Sequence, residues 1–219
     1  MQNPSQIRYS KLIFVFVILF TGITSVPSQT YKTVDEAEGL LPGTKAPAFT
    51  ATDTDGKDYS LEEALAKGPV VMIFYRGYWC PHCNRHLAGI QDSLGFIYEK
   101  GASIIAVSPE KPEYLNETKE ITGSEFTLLY DEGYRIANAY DVSFLPAQRK
   151  LMKYNTFTKA SLKESHSDES QRLPIPATYI INTEGLITWR QFDPNYKNRS
   201  TVKEIIQALS EIQLENDSK

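Results

Sequence analysis

The chain has 219 residues, of which 41% are hydrophobic and 23% are charged, and its formal net charge at pH 7 is -4. This composition is typical of a globular protein and excludes a disordered or fibrous chain. An acidic chain without a basic run also argues against binding to a nucleic-acid backbone.

The N-terminus has the pattern of a targeting segment. Arg8 and Lys11 precede an unbroken apolar run, residues 12–20, which is followed by small and polar residues. Because this run is shorter than the roughly 20 residues that cross a bilayer, we predict a secretory signal peptide over residues 1–28, with an uncleaved membrane anchor as the alternative. The expected location is secreted or periplasmic, with membrane contact only through the transient signal peptide. Residues 29–41 are predicted to be a linker.

The next elements are a hairpin, a short helix and a buried strand. Residues 40–60 are rich in Pro, Gly and Asp and predict an N-terminal extension that contains a short hairpin. Ser60 and Glu63 form a capping-box pattern, which predicts the start of a short helix. The run VVMIFY over residues 70–75 contains no charged side chain and predicts a strand buried on both faces.

The rest of the chain alternates between helical and strand patterns. We predict helices over residues 81–101, 112–120, 134–140 and 201–212, strands over 103–107 and 126–130, and a hairpin over 177–192. Residues 143–173 are polar and weakly periodic, and are predicted to be an irregular insertion of loop and helix. This order predicts an α/β fold with a mixed central sheet flanked by helices, in one domain over residues 42–214.

Cys80 and Cys83 are the two cysteines of the chain. A disulfide that encloses two residues removes little chain entropy, so the spacing indicates chemistry rather than stabilisation. Cys80 lies where a strand gives way to a helix, and Pro81 suits the first helical turn. Because a helix N-terminus favours a thiolate, we predict Cys80 to be the nucleophile. Cys83, one turn deeper and less exposed, is the predicted resolving thiol.

Three neighbours are predicted to support this pair. Arg76 and His82 can add positive charge near the Cys80 sulfur, and Trp79 can form a lip around it. The alternatives are that Arg76 pairs with a surface carboxylate, that His82 faces solvent, and that Trp79 packs at a strand end.

Other roles for the cysteines remain as alternatives. Cys80, Cys83 and His86 follow one another at three-residue steps, a spacing that can bring metal ligands to one side of a helix. Structural zinc normally takes four ligands, however, and the sequence offers no second cluster. Covalent haem attachment is excluded because Asn84, not histidine, follows Cys83. We therefore expect no metal and no cofactor. Two inert buried thiols, or a structural disulfide in a binding module, are the remaining interpretations.

Several blocks of the sequence resemble the peroxiredoxin-like branch of the AhpC/TSA family within the thioredoxin superfamily. The blocks are GTKAPAF, GPVVMIFYRGYWCPHC, SPEKPEY, LLYDEG and LPIPATYIINTEG. The resemblance implies a thioredoxin-like fold with a redox-active CPHC pair. In such folds a cis-proline precedes the strand that faces the cysteines, which implies a cis bond at Ile175–Pro176.

The family resemblance implies two chemistries. Typical peroxiredoxins carry a threonine upstream of the reactive cysteine, and Gly77 stands at the corresponding place here, so the sequence favours disulfide exchange with protein or small-molecule thiols. A thiol-dependent peroxidase, with Cys80 attacking peroxide and Cys83 resolving, is the alternative. The Pro-His between the cysteines also resembles DsbA, which implies an oxidising disulfide. The sequence indicates no oligomeric state.

Overall fold

The structure is a computed structural model that describes residues 30–158 and 160–217. The predicted signal peptide, residues 1–28, lies outside the described residues. From Tyr31 onward the chain forms one compact unit. None of the helices in this described part combines the length and the apolar character needed to cross a membrane.

The described residues contain nine strands, of which Ser143–Phe144 and Leu173–Pro174 were not predicted and the other seven follow the predicted chain order. They are β1 (Thr50–Asp53), β2 (Asp58–Ser60), β3 (Val70–Phe74), β4 (Ser103–Ser108), β5 (Thr127–Tyr130), β6 (Ser143–Phe144), β7 (Leu173–Pro174), β8 (Ala177–Ile181) and β9 (Ile187–Phe192).

Seven of the described strands form one mixed sheet in the order β2-β1-β5-β4-β3-β8-β9. Strands β3, β4 and β5 are parallel to one another, whereas β1, β8 and β9 each run antiparallel to a neighbour. All residues of β3 and β8 are buried, as expected for central strands covered on both faces. The predicted N-terminal hairpin is confirmed as the β1–β2 pair and joins the sheet through β5.

The helices of the described residues flank this sheet. They are α1 (Leu61–Leu65), α2 (Pro81–Gln91), α3 (Leu94–Tyr98), α4 (Pro112–Thr122), α5 (Arg135–Ala139), α6 (Gln148–Phe157), α7 (Leu162–Ser165) and α8 (Val202–Asp217), with one 3-10 turn at Glu132–Tyr134. The predicted α/β fold with a mixed sheet is therefore confirmed.

The two predicted capping patterns begin helices in the structure. Ser60 Oγ accepts the N–H of Glu63 at the start of α1. At the start of α8, Thr201 Oγ1 accepts the N–H of Glu204, and the Glu204 carboxylate accepts the Thr201 N–H in return. Each cap satisfies backbone donors that a helix leaves unpaired at its first turn.

Two helical predictions are wrong in detail. The helix predicted over residues 81–101 is two helices, α2 and α3, because the chain leaves helical geometry at Ser93, where φ is -119° and ψ is 12°. The predicted irregular insertion, residues 143–173, contains the regular ten-residue helix α6 and the β6–β7 pair. In α6 only Leu151 is buried, so its helical periodicity was too weak to be recognised.

The prediction of a cis bond at Ile175–Pro176 is also wrong. None of the peptide bonds in the described residues is cis. Pairing holds the chain extended on both sides of this bond: β7 pairs with β6, the Ile175 N–H bonds to Val142 O at 2.7 Å, and β8 begins at Ala177. The chain therefore runs straight from β7 into β8 through a trans proline.

Candidate active site

The two cysteines lie at the junction of the central strand β3 with α2. Cys80 is the N-cap residue of α2, with an extended backbone (φ -95°, ψ 100°), and Pro81 occupies the first turn as predicted. Cys80 Sγ accepts the N–H of Cys83 at 3.3 Å. The cysteine thus occupies the place where a Ser or Asp usually caps a helix, and its sulfur faces the positive end of the helix dipole.

Arg76 contacts the sulfur of Cys80 directly. Its Nη2 lies 3.1 Å from Cys80 Sγ, and its Nη1 donates a hydrogen bond to Tyr154 Oη at 3.2 Å. The guanidinium lies 3.9 Å from the ring centroid of Tyr196 and 5.2 Å from that of Trp79. The structure places the guanidinium of Arg76 at the Cys80 sulfur, between aromatic rings from α6 and from the loop after β9.

A second guanidinium approaches Cys83. Arg199 Nη2 lies 3.4 Å from Cys83 Sγ, and Arg199 Nε donates to Tyr196 O at 2.7 Å. His86 lies one turn beyond Cys83 and its Nε2 is 3.0 Å from Ser200 O. Burial, followed by the charge of Arg199, lowers the pKa of His86 to about 4, so the ring is neutral at pH 7.

Both sulfurs are fully buried, at 0% exposure. We predicted that Cys83 would be less exposed than Cys80, and this is wrong because the clamped guanidinium of Arg76 contacts the Cys80 sulfur. The described structure holds both cysteines as free thiols.

The two thiols titrate as a coupled pair. Burial raises the pKa of Cys80, as do its hydrogen bond with Cys83 and the charge there, while Arg76 acts in the opposite direction. Burial also opposes ionisation of Cys83, but its hydrogen bond with Cys80 and the charges of Arg199 and Arg76 hold the pKa of Cys83 well below its usual value. The pair thus carries one negative charge. Transfer of a single proton moves this charge from one sulfur to the other, and each sulfur contacts a guanidinium.

Gly77 and Glu110 fill the space beside the pair. Gly77 has φ +143°, and a Cβ built on it would lie 2.2 Å from Glu110 Oε1 and 2.7 Å from Trp79 Nε1. Glu110 is fully buried and its Oε2 accepts the Tyr78 N–H at 2.9 Å. Burial raises the pKa of Glu110 well above its usual value, which the hydrogen bond from the Tyr78 N–H opposes. Position 77 therefore has no room for a threonine side chain.

The other predicted supporting residues lie in different surroundings. Trp79 is buried and packs against Tyr154, with ring centroids 5.1 Å apart. His82 lies edge-on to Tyr196 at 5.4 Å. Burial and the nearby cations, Arg85 first, lower the pKa of His82, so it does not supply the positive charge that we predicted. Pro176 is buried immediately before β8.

The arrangement gives no support to a metal site. Among residues 30–158 and 160–217, no group of three or more His, Cys, Asp or Glu side chains is arranged to hold a metal ion. The ring of His86, which we considered as a ligand, is directed to Ser200 O instead.

Sequence reasoning missed four residues of the site. These are Glu110, Tyr154, Tyr196 and Arg199. Tyr154 lies in the segment that we predicted to be irregular, and Arg199 lies 116 residues from Cys83. No local spacing pattern connects such residues to the cysteines, although the short YKNR run before the last helix is basic enough to have drawn attention.

Comparison with known proteins identifies the family. Residues 42–190 match the sequence model of the AhpC/TSA family. The chain belongs to the AhpC/TSA family. The family match covers both cysteines, Glu110 and Tyr154, whereas Tyr196 and Arg199 lie after it.

Relatives within the AhpC/TSA family carry two kinds of name. The chain is 28% identical over 188 residues to chloroplastic peroxiredoxin Q of Oryza sativa subsp. japonica, covering 84% of this chain and 75% of the relative. It is 26% identical over 168 residues to the thiol-disulfide oxidoreductase ResA of Geobacillus thermodenitrificans, covering 72% of this chain and 95% of ResA. Two peroxiredoxin-named proteins of Mycobacterium tuberculosis are 35% identical over 101 residues, which is 46% of this chain and 64% of their own length. The names of these relatives are thus of two kinds, peroxiredoxin and thiol-disulfide oxidoreductase.

Solved structures support the same fold. The peroxidoxin BcpB of Mycobacterium tuberculosis superposes with a TM-score of 0.61 at 18% identity, covering 80% of this chain and 97% of BcpB. A reduced 2-Cys peroxiredoxin of Plasmodium vivax superposes with a TM-score of 0.61 at 19% identity, covering 81% of this chain and 99% of the peroxiredoxin. At these identities the likeness establishes the thioredoxin-like fold of the peroxiredoxins and nothing about the reaction.

Proposed function

We propose that this AhpC/TSA protein is a thiol-disulfide oxidoreductase that cycles Cys80 and Cys83 between dithiol and disulfide. The observation that carries the proposal is the pairing of each sulfur with its own guanidinium, Arg76 at Cys80 and Arg199 at Cys83. In disulfide exchange the negative charge moves from sulfur to sulfur, and here both positions are stabilised by a cation.

The exchange step follows from the positions of the two sulfurs. The proton of Cys80 first passes to the Cys83 thiolate, and the Cys80 thiolate that results at the N-terminus of α2 attacks a disulfide RSSR, breaks its S–S bond and releases RS⁻. Cys83 then loses its proton, attacks the Cys80 sulfur of the mixed disulfide and releases the second RS⁻, which leaves the Cys80–Cys83 disulfide. The partner gains two electrons and the pair loses two. The reverse sequence oxidises thiols.

Gly77 favours exchange over attack on peroxide. The space in which a threonine hydroxyl would stand three residues before Cys80 is occupied by the Glu110 carboxyl and the Trp79 indole. The site therefore lacks the hydroxyl that typical peroxiredoxins place beside the reactive sulfur.

A thiol-dependent peroxidase is the second candidate, and the names of the relatives favour it. In that reaction the Cys80 thiolate takes one oxygen from ROOH to give sulfenic acid and ROH. Cys83 then attacks the sulfenic acid, which forms the disulfide and releases water.

Cysteine variants separate the two candidates. We expect Cys80→Ser to abolish reduction of insulin disulfides, and Cys83→Ser to accumulate mixed disulfides with the partner that mass spectrometry detects. Unchanged insulin reduction in Cys80→Ser would contradict the proposal. Rapid consumption of hydrogen peroxide by the reduced wild type, with sulfenic acid in Cys83→Ser, would favour the peroxidase instead.

We also propose export to the periplasm or the cell exterior. The basic, apolar and polar order of residues 1–28 supports the proposal. Processing of the expressed chain tests it: a mature N-terminus between residues 25 and 30 in the exported fraction is expected, and an intact chain in the cytosol would contradict it.

A further inference from the structure

Four basic side chains lie near the start of α2, where the two cysteines stand. Arg76 contacts Cys80 Sγ and Arg199 contacts Cys83 Sγ. Arg85 follows His82 by one turn of α2, and Lys197 is next to Tyr196, whose ring lies 5.4 Å from that of His82. Arg85 belongs to α2, and Lys197 and Arg199 belong to the loop between β9 and α8. Arg85 and Lys197 are exposed to solvent. Chain segments that are more than a hundred residues apart thus bring positive charge to one place.

Among the described residues, no carboxylate forms an ion pair with these four cations. The ion pairs among the described residues join Lys32 to Asp141, Lys119 to Asp55, and Arg172 to Asp168, and none of them involves the four cations. The whole chain nevertheless carries a net charge of -4. A local positive field on an acidic protein attracts anions to that spot and raises their local concentration.

We infer that Arg85 and Lys197 form a subsite for the carboxylate of a small anionic thiol or disulfide, and that this class is the substrate of the Cys80–Cys83 pair. The inference rests on the proposed function and narrows its substrate. A small molecule fits better than a polypeptide because both sulfurs are fully buried. Arg85 shares α2 with Cys83, and Lys197 shares a loop with Arg199, which contacts Cys83 Sγ, so a carboxylate held at these exposed cations keeps a small thiol near the pair.

The reaction that the subsite would promote is the oxidation of two thiols by the Cys80–Cys83 disulfide. A thiolate RS⁻ attacks Cys80 of the disulfide form, breaks the Cys80–Cys83 bond and leaves the electron pair on Cys83 beside Arg199. A second RS⁻ attacks the R sulfur of the mixed disulfide, which releases RSSR and the Cys80 thiolate beside Arg76. Two thiols have been oxidised, one disulfide has been reduced, and the two protons pass between the thiols and the pair through solvent.

Three thiols of different charge test the inference on the oxidised full chain. The probes are 3-mercaptopropionate, 2-mercaptoethanol and cysteamine, with each rate divided by the rate of the same thiol on bis(2-hydroxyethyl) disulfide to remove differences in nucleophilicity. We expect the normalised rate of 3-mercaptopropionate to exceed that of cysteamine about tenfold, and the preference to shrink as salt is raised.

Charge-removing variants locate the effect. Arg85→Gln combined with Lys197→Gln should lower the rate of 3-mercaptopropionate several-fold more than the rate of 2-mercaptoethanol, which carries no carboxylate. Lys57→Gln, which removes one charge in the β1–β2 turn, is the matched control and should keep the wild-type preference.

Each remaining outcome counts against the inference. Equal normalised rates for the three thiols, or a preference that survives in the double variant, overturn the subsite while the redox function stands. A glutamate-flanked cysteine peptide that reacts faster than every small thiol would show a polypeptide substrate and overturn the assignment to small molecules. Failure of all thiols to reduce the wild-type disulfide overturns the inference and the proposed function together.

Discussion

Gly77 determines what can stand beside the Cys80 sulfur. Its φ of +143° lies in a region that residues with a Cβ rarely adopt, and the adjacent space is taken by Glu110. The buried Glu110 carboxyl requires a glycine at position 77, since a larger residue there would have to displace a buried group that accepts the Tyr78 N–H.

Substitution of Gly77 tests this coupling. We expect Gly77→Ala to lower the free energy of unfolding by about 2 kcal/mol or more, because backbone strain and overpacking add. Urea unfolding measures the change. Gly89→Ala in α2 is the control. Among the described residues, no atom outside the helix backbone around Gly89 lies within 4 Å of the position that a Cβ would take. This substitution should therefore raise the free energy of unfolding by about 0.5 to 1 kcal/mol. Equal stability of Gly77→Ala and the wild type would contradict the account.

At the same scale, the sequence revealed only the local half of the site. Cys80, Cys83, Pro81 and Arg76 lie within eight residues of one another, so helix-start chemistry and charge were enough to predict their proximity. Tyr154, Tyr196 and Arg199 reach the site through the tertiary fold, and no periodicity encodes such a meeting. His82 was predicted as a cation because its neighbours Arg85 and Arg199 were not known to surround it.

Elements with a strong burial pattern were predictable, and those without one were not. The fully buried β3 and β8 and the capped α1 and α8 follow the sequence prediction. Helix α6 buries a single side chain, so its pattern resembled a polar loop. Yet α6 carries Tyr154 to the Arg76 guanidinium, which makes a weakly patterned element part of the site.

Asp131 fixes the start of α5 and should make stability depend on pH. Its carboxylate accepts the N–H groups of Ile136 and Ala137 at 2.7 and 2.9 Å. Burial raises the pKa of Asp131 to about 6 from 3.8, although these bonds oppose the rise. Because the folded state binds this proton more tightly than the unfolded state, the contribution of Asp131 is largest below pH 3.8 and is lost as the pH rises to about 6.

The variant Asp131→Asn isolates that effect. As the pH rises from about 3.5 to about 7, the free energy of unfolding of the wild type should fall by about 3 kcal/mol relative to that of the variant. Urea titrations at both pH values measure it. A difference that does not change with pH would show that folding leaves the pKa of Asp131 unchanged, and would contradict this account.

For the whole molecule, the charges around the cysteines link redox state to stability. Arg76 is 3% exposed, and the sulfur charges of Cys80 and Cys83 outweigh burial to raise its pKa. In the disulfide form the sulfurs are neutral, so the guanidinium remains buried without its anion. A bridge around two residues offers little compensation in the unfolded chain.

We therefore expect the reduced protein to be more stable than the oxidised protein. Urea unfolding of both forms measures the difference, which converts to the reduction potential at about 1.4 kcal/mol per 30 mV. The sign predicts an oxidising disulfide, in agreement with the Pro-His between the cysteines. A more stable oxidised form would reverse this conclusion and make the pair a reductant.

The complete burial of both sulfurs also sets how fast the protein can work. A partner reaches Cys80 only when the Arg76 guanidinium and the ring of Tyr196 move aside, so the observed rate is the intrinsic rate multiplied by the fraction of molecules that are open. At high thiol concentration the opening motion itself becomes the limit, and the rate stops rising. The same burial keeps oxidants away from a sulfur that has already reacted once, which protects Cys80 from irreversible sulfinic acid.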